Sequence, residues 1–152
     1  MQFFPDLGRA AAEMARVAAP GARIAVSFWA TLADQTYFRA QTDGLMTALG
    51  EAYAPMTPAF RLAPEAMSAA FTAAGLHDVA TEKCVATVSL PPLDSYAAQQ
   101  VSTLPVAPAF ATLTDDQRRE YVRGMEAALA PYRTPDGRTA CPFASWIVTA
   151  RR

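Results

Sequence analysis

The sequence is poor in the residues that build metal centres and disulfide frameworks. It contains one histidine, His77, and two cysteines, Cys84 and Cys141, which lie far apart. That spacing is neither a disulfide framework nor a zinc-binding pattern, and two such thiols are typical of a reduced cytoplasm. We therefore expect no metal site, packing roles for both cysteines, a surface turn for the histidine, and a cytoplasmic protein.

Surplus positive charge and long hydrophobic runs are also missing. The chain has 13 lysines and arginines against 14 aspartates and glutamates, so its net charge is −1. This balance gives no attraction to nucleic acid or to an anionic membrane. No apolar run reaches the roughly 18 residues of a membrane-spanning helix, and no basic-then-apolar signal peptide opens the chain. We expect neither a nucleic-acid nor a membrane partner.

Hydrophobic residues, in contrast, are abundant. They make up 52% of the 152 residues, which is enough for one domain with a real core. Twelve prolines and seven glycines delimit short elements. Periodicity and capping signals predict helices over 6–19, 34–49, 64–74, 93–102 and 114–130, strands over 23–29, 79–90 and 143–150, a loop over 53–58 and an irregular segment over 104–113.

The opening helix and strand carry the clearest local signals. Asp6 is placed to accept hydrogen bonds from first-turn amides, and apolar residues recur every three or four positions until Pro20-Gly21 ends the helix. The following strand, Arg23–Trp29, is almost continuously apolar. Such a run is typical of a strand covered on both faces, as in a parallel sheet. Helix, tight turn and buried strand together predict an α/β fold.

The same opening segment carries a family resemblance. The run Phe3-Phe4-Pro5-Asp6, then Glu13-Met14-Ala15-Arg16-Val17, then Pro20-Gly21-Ala22-Arg23, and then a strand ending in Trp29 resembles the central stretch of class I S-adenosylmethionine-dependent methyltransferases that act on small molecules. The family's usual turn is Pro-Gly-Gly, and Ala22 replaces its second glycine. Residues 73–79 resemble the turn into the family's sixth strand. Residues 146–152 resemble its seventh strand, which the family inserts antiparallel into the sheet.

This resemblance implies a fold and a domain organisation. The fold class would be α/β, a partial Rossmann-like methyltransferase sheet made of the last three strands, the final one antiparallel, with helices and helical insertions. Residues 1–152 would form a single domain, the C-terminal part of the methyltransferase fold. Residues 31–63 and 92–140 would be insertions that form a substrate-side cap.

The family's cofactor motif is missing from the sequence. Its members bind S-adenosylmethionine with a glycine-rich turn after the first strand and an acidic residue that holds the ribose hydroxyls. No G-x-G stretch occurs here. Three explanations stay open: the gene is truncated, the true start lies upstream, or the product no longer needs the cofactor. We therefore expect the isolated chain to be inactive or nearly so, although S-adenosylmethionine is the cofactor that the resemblance implies.

Candidate site residues follow from the resemblance and from their places after predicted strands. Gln2 and Phe3 occupy the segment that lies beside cofactor and substrate in the family, so they are candidate cofactor contacts. The candidate substrate residues belong to the polar-aromatic cluster that follows the first strand and to the predicted insertion after the second strand; they are Trp29, Gln35, Tyr37 and Tyr96. Ordinary capping and aromatic packing is the competing interpretation for all of them.

The sequence identifies no catalytic residue. Methyl transfer from a sulfonium is an in-line displacement that needs alignment and proximity, and a general base is optional. Asp115 and Asp116 resemble a catalytic pair, but their place in the first turn of a helix explains them through the helix dipole. The nature of the methyl acceptor is left open, since fold alone does not fix function.

A second interpretation is a non-catalytic module derived from a methyltransferase. A half-sheet would leave Arg23–Trp29 with an unpaired edge, which favours pairing with another chain. The expected partner is a second copy, giving a homodimer, or a separate N-terminal half. A third interpretation, a binding protein for an apolar small molecule, follows from the aromatic insertions.

Overall fold

The computed structural model describes residues 2–50, 53 and 57–152, and this part of the chain holds six helices and three strands. Short 3₁₀ turns lie at Leu32–Asp34, Thr57–Phe60 and Ala130–Tyr132. The helices and strands, in chain order, are α1 (Leu7–Val17), β1 (Arg23–Trp29), α2 (Thr36–Leu49), α3 (Pro64–Ala73), β2 (His77–Leu90), α4 (Leu93–Val101), α5 (Ala107–Ala111), α6 (Asp115–Ala128) and β3 (Thr139–Arg151).

The three strands form one antiparallel sheet in the order β1–β3–β2. The last strand in sequence is therefore the central one. Strand β3 pairs with β1 from Arg23 opposite Arg151 to Trp29 opposite Ser145. The predicted α/β class is confirmed, and so is an antiparallel final strand.

Strand β1 differs from its prediction in one respect. A buried strand of a parallel sheet was expected, whereas β1 is a terminal strand whose neighbour among the described residues is antiparallel. Its alternate residues Arg23, Ala25 and Ser27 are exposed. The physical reason is visible in the sequence: a charged, a small and a hydroxyl residue occupy every second position, so only one face is strongly apolar.

Two compact units make up the chain. The first comprises Met1–Asp34, Thr57–Val85 and Ala144–Arg152, and the second comprises Gln35–Met56 and Ala86–Phe143. The boundaries fall inside β2 and β3, so both long strands continue from one unit into the other. Most of the predicted insertions 31–63 and 92–140 belong to the second unit. A single domain with a substrate-side cap stays a prediction.

Helices α1 and α3 cover one face of the sheet in the first unit. Asp6 accepts a hydrogen bond from the Arg9 amide at 2.8 Å and so starts α1, as predicted. Pro64 starts α3, where its missing N–H costs nothing. The buried residues of this core come from both helices, from the turn after α3 and from two strands; they are Ala11, Phe28, Met67, Phe71, Leu76, Val148 and Ala150.

Helices α2, α4 and α6 build the core of the second unit. Thr114 and Gln117 form a capping box, each side chain accepting a hydrogen bond from the other residue's backbone N–H, which starts α6 as predicted. Tyr121 and Met125 face inward from this helix and are 2% and 0% exposed. The core of this unit is thus helical and aromatic.

Some predicted boundaries shift. The segment 104–113, predicted as irregular, contains the short helix α5 with Pro108 in its first turn. Strand β3 begins at Thr139, earlier than the predicted 143. Of the predicted loop 53–58, residues 54–56 lie outside the described part of the chain.

Candidate functional site

A pocket of about 280 Å³ lies at the carboxyl end of β1 in the first unit. It brings together three of the predicted site residues, namely Gln2, Phe3 and Trp29. The other residues that line it are Ser27, Phe28 and Ser145. Residues from the segment before α1 therefore meet residues of the sheet at one strand end, which is where open α/β sheets place their ligands.

Gln2 is fixed to the sheet by its side chain. Its Oε1 atom accepts a hydrogen bond from the backbone N–H of Trp29 at 2.8 Å. This bond fixes the side-chain amide, whose two N–H donors can contact a ligand. Phe3, which is 72% exposed, supplies an aromatic ring beside them.

The lining residues of this pocket carry no ionisable side chain. Aromatic rings, one amide and two serine hydroxyls offer apolar contact and neutral hydrogen bonds. Such a lining suits an uncharged aromatic or polar group better than a carboxylate or a phosphate, which would need a counter-charge when desolvated.

A charged cluster follows β1 in the same unit. Asp34 accepts hydrogen bonds from the Lys83 ammonium at 2.6 Å and from the Thr31 hydroxyl at 2.8 Å. The hydrogen bond from Lys83, supported by the one from Thr31, lowers the pKa of Asp34. Lys83 also lies 5.8 Å from the centre of the Trp146 ring. These contacts favour the ionised form of Asp34 and hold the segment after β1 in place.

The remaining predicted site residues belong to the second unit. Gln35 and Tyr37 are 0% and 1% exposed. The Tyr37 ring lies 6.0 Å from Tyr96 and 6.1 Å from Phe143, centre to centre. Trp29 belongs to the first unit, whereas Gln35, Tyr37 and Tyr96 belong to the second. A role for these three residues in substrate binding stays a prediction.

The interior of the second unit also holds polar atoms that the sequence did not single out. The hydroxyl oxygens of Tyr37 and Tyr121 are buried without a hydrogen-bond partner among the described residues. Burial raises the pKa of Tyr121 to about 12, against the opposing effect of the nearby Gln41 amide. Gln41 itself donates to Gln100. The inward position of Tyr121 on α6 was the available signal, but the sequence does not show whether a buried hydroxyl is paired.

The alternative catalytic candidates lie on exposed surface. His77 lies at the exposed start of β2, 3.3 Å from Asp78. Asp115 and Asp116 are exposed in the first turn of α6 and pair with arginines one turn on. The described residues contain no group of three side chains that could hold a metal ion.

The two cysteines differ from one another. Cys141 is buried, as predicted, and burial raises the pKa of its thiol. The expected packing role of Cys84 is wrong, because this residue is exposed on β2. The cytoplasmic location inferred from both thiols stays a prediction. Among the described residues, none of the helices has the length and apolar content needed to cross a membrane.

The resemblance to methyltransferases stays an expectation from the sequence. No model of a known protein family matches the sequence, and no curated protein matches it either.

Proposed function

We propose that the chain is part of an S-adenosylmethionine-dependent methyltransferase acting on a small molecule, and that it contributes one wall of the ligand pocket. The pocket at the end of β1 carries this proposal, because it joins Gln2 and Phe3 to Trp29. The first two were expected to contact the cofactor and the third the substrate. The resemblance and the geometry thus point to the same strand end.

The order of the strands supports a partial Rossmann-like sheet. Helix α1 and a Pro-Gly turn lead into β1, and Gly21 takes a positive φ of 75° in that turn. Strand β3 lies between the other two strands and runs antiparallel to β1. The resemblance implies this insertion of the last strand. This strand order is common, so the sheet by itself does not favour the methyltransferase family. The sequence motif before β1 does.

The pocket does not fit the whole cofactor. S-adenosylmethionine carries a ribose diol and a charged amino-acid end, whereas the pocket residues include no carboxylate and no cation. The sequence has no glycine-rich turn to approach the cofactor closely. The residues present suit its neutral aromatic part or an apolar acceptor. We therefore derive no catalytic step from this chain alone.

What the chain supplies is positioning. In-line methyl transfer depends on alignment of donor and acceptor, and a wall fixed by a backbone hydrogen bond holds its groups in one geometry. Gln2 is such a fixed group, since Trp29 holds its side-chain oxygen. Phe3 and Trp29 add flat apolar surface that excludes water from one side of the ligand.

Calorimetric titration with S-adenosylmethionine tests the proposal. We expect no micromolar binding by the 152-residue chain. We expect micromolar binding by the same chain extended with any residues encoded in frame upstream of Met1, if these contain a glycine-rich turn. Micromolar binding by the short chain would show that it needs no further cofactor segment. If the extended chain contains such a turn and is folded, failure to bind S-adenosylmethionine would count against methyl transfer.

Binding of an uncharged small molecule without catalysis is the second candidate function. The aromatic cluster of Tyr37, Phe38, Tyr96 and Phe143 favours it. So does the buried Tyr37 hydroxyl, for which the described part of the chain supplies no hydrogen-bond partner. A buried hydroxyl of this kind is a donor that a ligand oxygen can satisfy. Native mass spectrometry would support this function by detecting a retained small molecule whose occupancy falls in the Tyr37→Phe variant. The intact chain mass alone would contradict it.

A further inference from the structure

We infer that the first unit binds a second copy of itself through β1 and α1, with both elements paired antiparallel across one two-fold axis. This inference does not depend on methyl transfer. Of the two partners expected for the edge of β1, a second copy or a separate N-terminal half, it commits to the second copy. It rests on three features of the first unit: a strand edge with no neighbour among the described residues, an apolar groove on α1, and an order of charges along that helix.

Strand β1 has an unpaired backbone edge. At one end the Ala22 carbonyl accepts from the Arg152 amide at 3.0 Å, and at the other the Ala30 amide donates to the Ala144 carbonyl at 3.0 Å. In an antiparallel pair, every second residue of β1 exchanges hydrogen bonds with β3, and the residues between them point their backbone N–H and C=O groups to the other side. The N–H and C=O groups of Arg23, Ala25 and Ser27 therefore face the opposite edge, where the described residues provide no strand.

That edge is better suited to pairing than the other edge of the sheet. Strand β2, the other terminal strand, carries Asp78, Glu82 and Lys83, and charges of this kind keep an edge from pairing. In β1 the residues that face outward at the middle of the edge are Ala25 and Ser27, which are small and uncharged. A second strand can approach them without burying a charge.

An apolar groove lies along α1 and the segment before it. It has a volume of about 450 Å³, and Phe4, Ala10, Met14 and Val17 supply its apolar walls. Phe4 is 57% exposed and Val17 is 68% exposed. By the same alternation, the backbone N–H of Trp29 faces the edge away from β3, where it donates a hydrogen bond to Gln2. The segment leading to Phe4 therefore lies beside the unpaired edge.

One symmetry axis satisfies both surfaces. The segment before α1 is bound to the carboxyl end of β1, and the turn after α1 is bound to the far end of the strand pair through Gly21 and Arg152. Helix α1 thus runs opposite to β1 along the sheet. A two-fold axis normal to the sheet pairs β1 with β1 of the second copy and α1 with α1 of the second copy, both antiparallel. Both helices then lie on the same face of the combined sheet.

The charges on α1 fit an antiparallel second copy. Asp6, Arg9, Glu13 and Arg16 follow one another with signs that alternate. Within one copy, Glu13 also pairs with Arg16 at 2.8 Å, and Asp6 caps the helix. When two such helices cross antiparallel at the level of Ala11, Arg9 faces Glu13 of the second copy and Asp6 faces Arg16. The same register brings Phe4 and Pro5 to Val17 of the second copy. A parallel pair in register would instead place like charges opposite each other.

Charge reversal tests this register. Size-exclusion chromatography with light scattering on the 152-residue chain, over a concentration series, should show a dimer. Arg9→Glu and Glu13→Arg should each weaken it roughly tenfold or more, because each reversal turns two attractive contacts of the dimer into repulsive ones. The double variant Arg9→Glu/Glu13→Arg should restore the dissociation constant to within about threefold. Arg119→Glu, which breaks an exposed 2.5 Å ion pair on α6, is the matched control and should leave the dimer unchanged.

The apolar contact has its own variant. Val17→Lys places a charge where Phe4 of the second copy should pack, and it should give a monomer. Val17 is exposed, and a cation near the end of a helix is favourable, so this variant should fold as well as the parent. Circular dichroism and thermal unfolding check that it does.

Each remaining outcome overturns the inference. A parent chain that is monomeric at every concentration contradicts it outright. A dimer that tolerates Val17→Lys and both single reversals is formed by another surface. Single reversals that weaken the dimer without rescue by the double variant contradict the antiparallel register of α1.

Discussion

Gly44 of α2 provides a sharp test of the helical core in the second unit. An added Cβ would lie 3.0 Å from Cδ2 and 3.1 Å from Cε2 of Tyr121. The Tyr121 ring is 2% exposed and packs edge-on against Phe110 at 5.2 Å, so it has little room to move. Alanine in mid-helix gains about 1 kcal/mol over glycine, whereas overpacking a core costs about 1–3 kcal/mol. Gly44→Ala should therefore lower the free energy of unfolding, by up to about 2 kcal/mol.

Gly124→Ala on α6 is the matched control. It makes the same substitution inside a helix, but nothing lies within 4 Å of the added Cβ. This variant should stabilise the protein by about 1 kcal/mol. Urea unfolding followed by circular dichroism gives both values, and their difference, about 1–3 kcal/mol, isolates the contact with Tyr121 because the helix-propensity gain cancels. Equal stabilisation by the two substitutions would refute the close approach of α2 and α6.

Two further predictions concern an ion pair and a helix cap. Asp34→Asn should cost about 0.2–1 kcal/mol at pH 7, since its side chain and that of Lys83 are only partly exposed. Because the pKa of Asp34 is lowered in the folded state, its contribution is present above the unfolded value of about 4 and is lost as pH falls through the folded value. The two proteins should therefore differ in urea stability at pH 7 and converge near pH 2, and a difference that persists there would contradict the pair. Thr114→Ala should cost about 1 kcal/mol of stability through loss of the capping box. The control Thr103→Ala should change stability by less, because the Thr103 hydroxyl donates only to one carbonyl in an exposed turn. Equal effects of the two substitutions would argue against the cap.

The helices could be predicted where their signals are local. Asp6 and Thr114 start α1 and α6 because a cap and the amides it accepts from lie within three residues of each other. The start of β3 was placed too late because Pro142 interrupts its apolar pattern, and proline usually excludes the interior of a strand. In the prediction of this strand start, one proline outweighed the strand-forming residues around it.

Contacts between distant residues could not be predicted in the same way. The apolar run of β1 indicates a strand but not its neighbour, and the antiparallel pairing with β3 joins segments more than 100 residues apart. Lys83, which holds Asp34, gave no signal in the sequence because its partner lies 49 positions away. Only the packed sheet brings such pairs together.

The predicted site residues come from separate segments of the chain, and their roles stay predictions. Gln2 and Phe3 were placed near Trp29 by the resemblance, and all three line one pocket. Gln35 and Tyr37 follow Trp29 closely in sequence, which suggested one continuous wall. However, Gln35 precedes α2, and the buried face of that helix belongs to the core of the second unit. Nearness along the chain therefore does not place these two residues in the same unit as Trp29.

Photolabelling with methyl-labelled S-adenosylmethionine tests the central claim most directly. The protein extended with a glycine-rich segment would be irradiated with the ligand, cleaved with trypsin and mapped by mass spectrometry. We expect the label at Gln2 or Phe3, in the peptide that ends at Arg9, or at Trp29, in the peptide Ile24–Arg39. Excess unlabelled ligand should abolish it. Competed label confined to peptides of α4 or α6, or competed label on the upstream segment alone, would contradict a ligand wall at the end of β1.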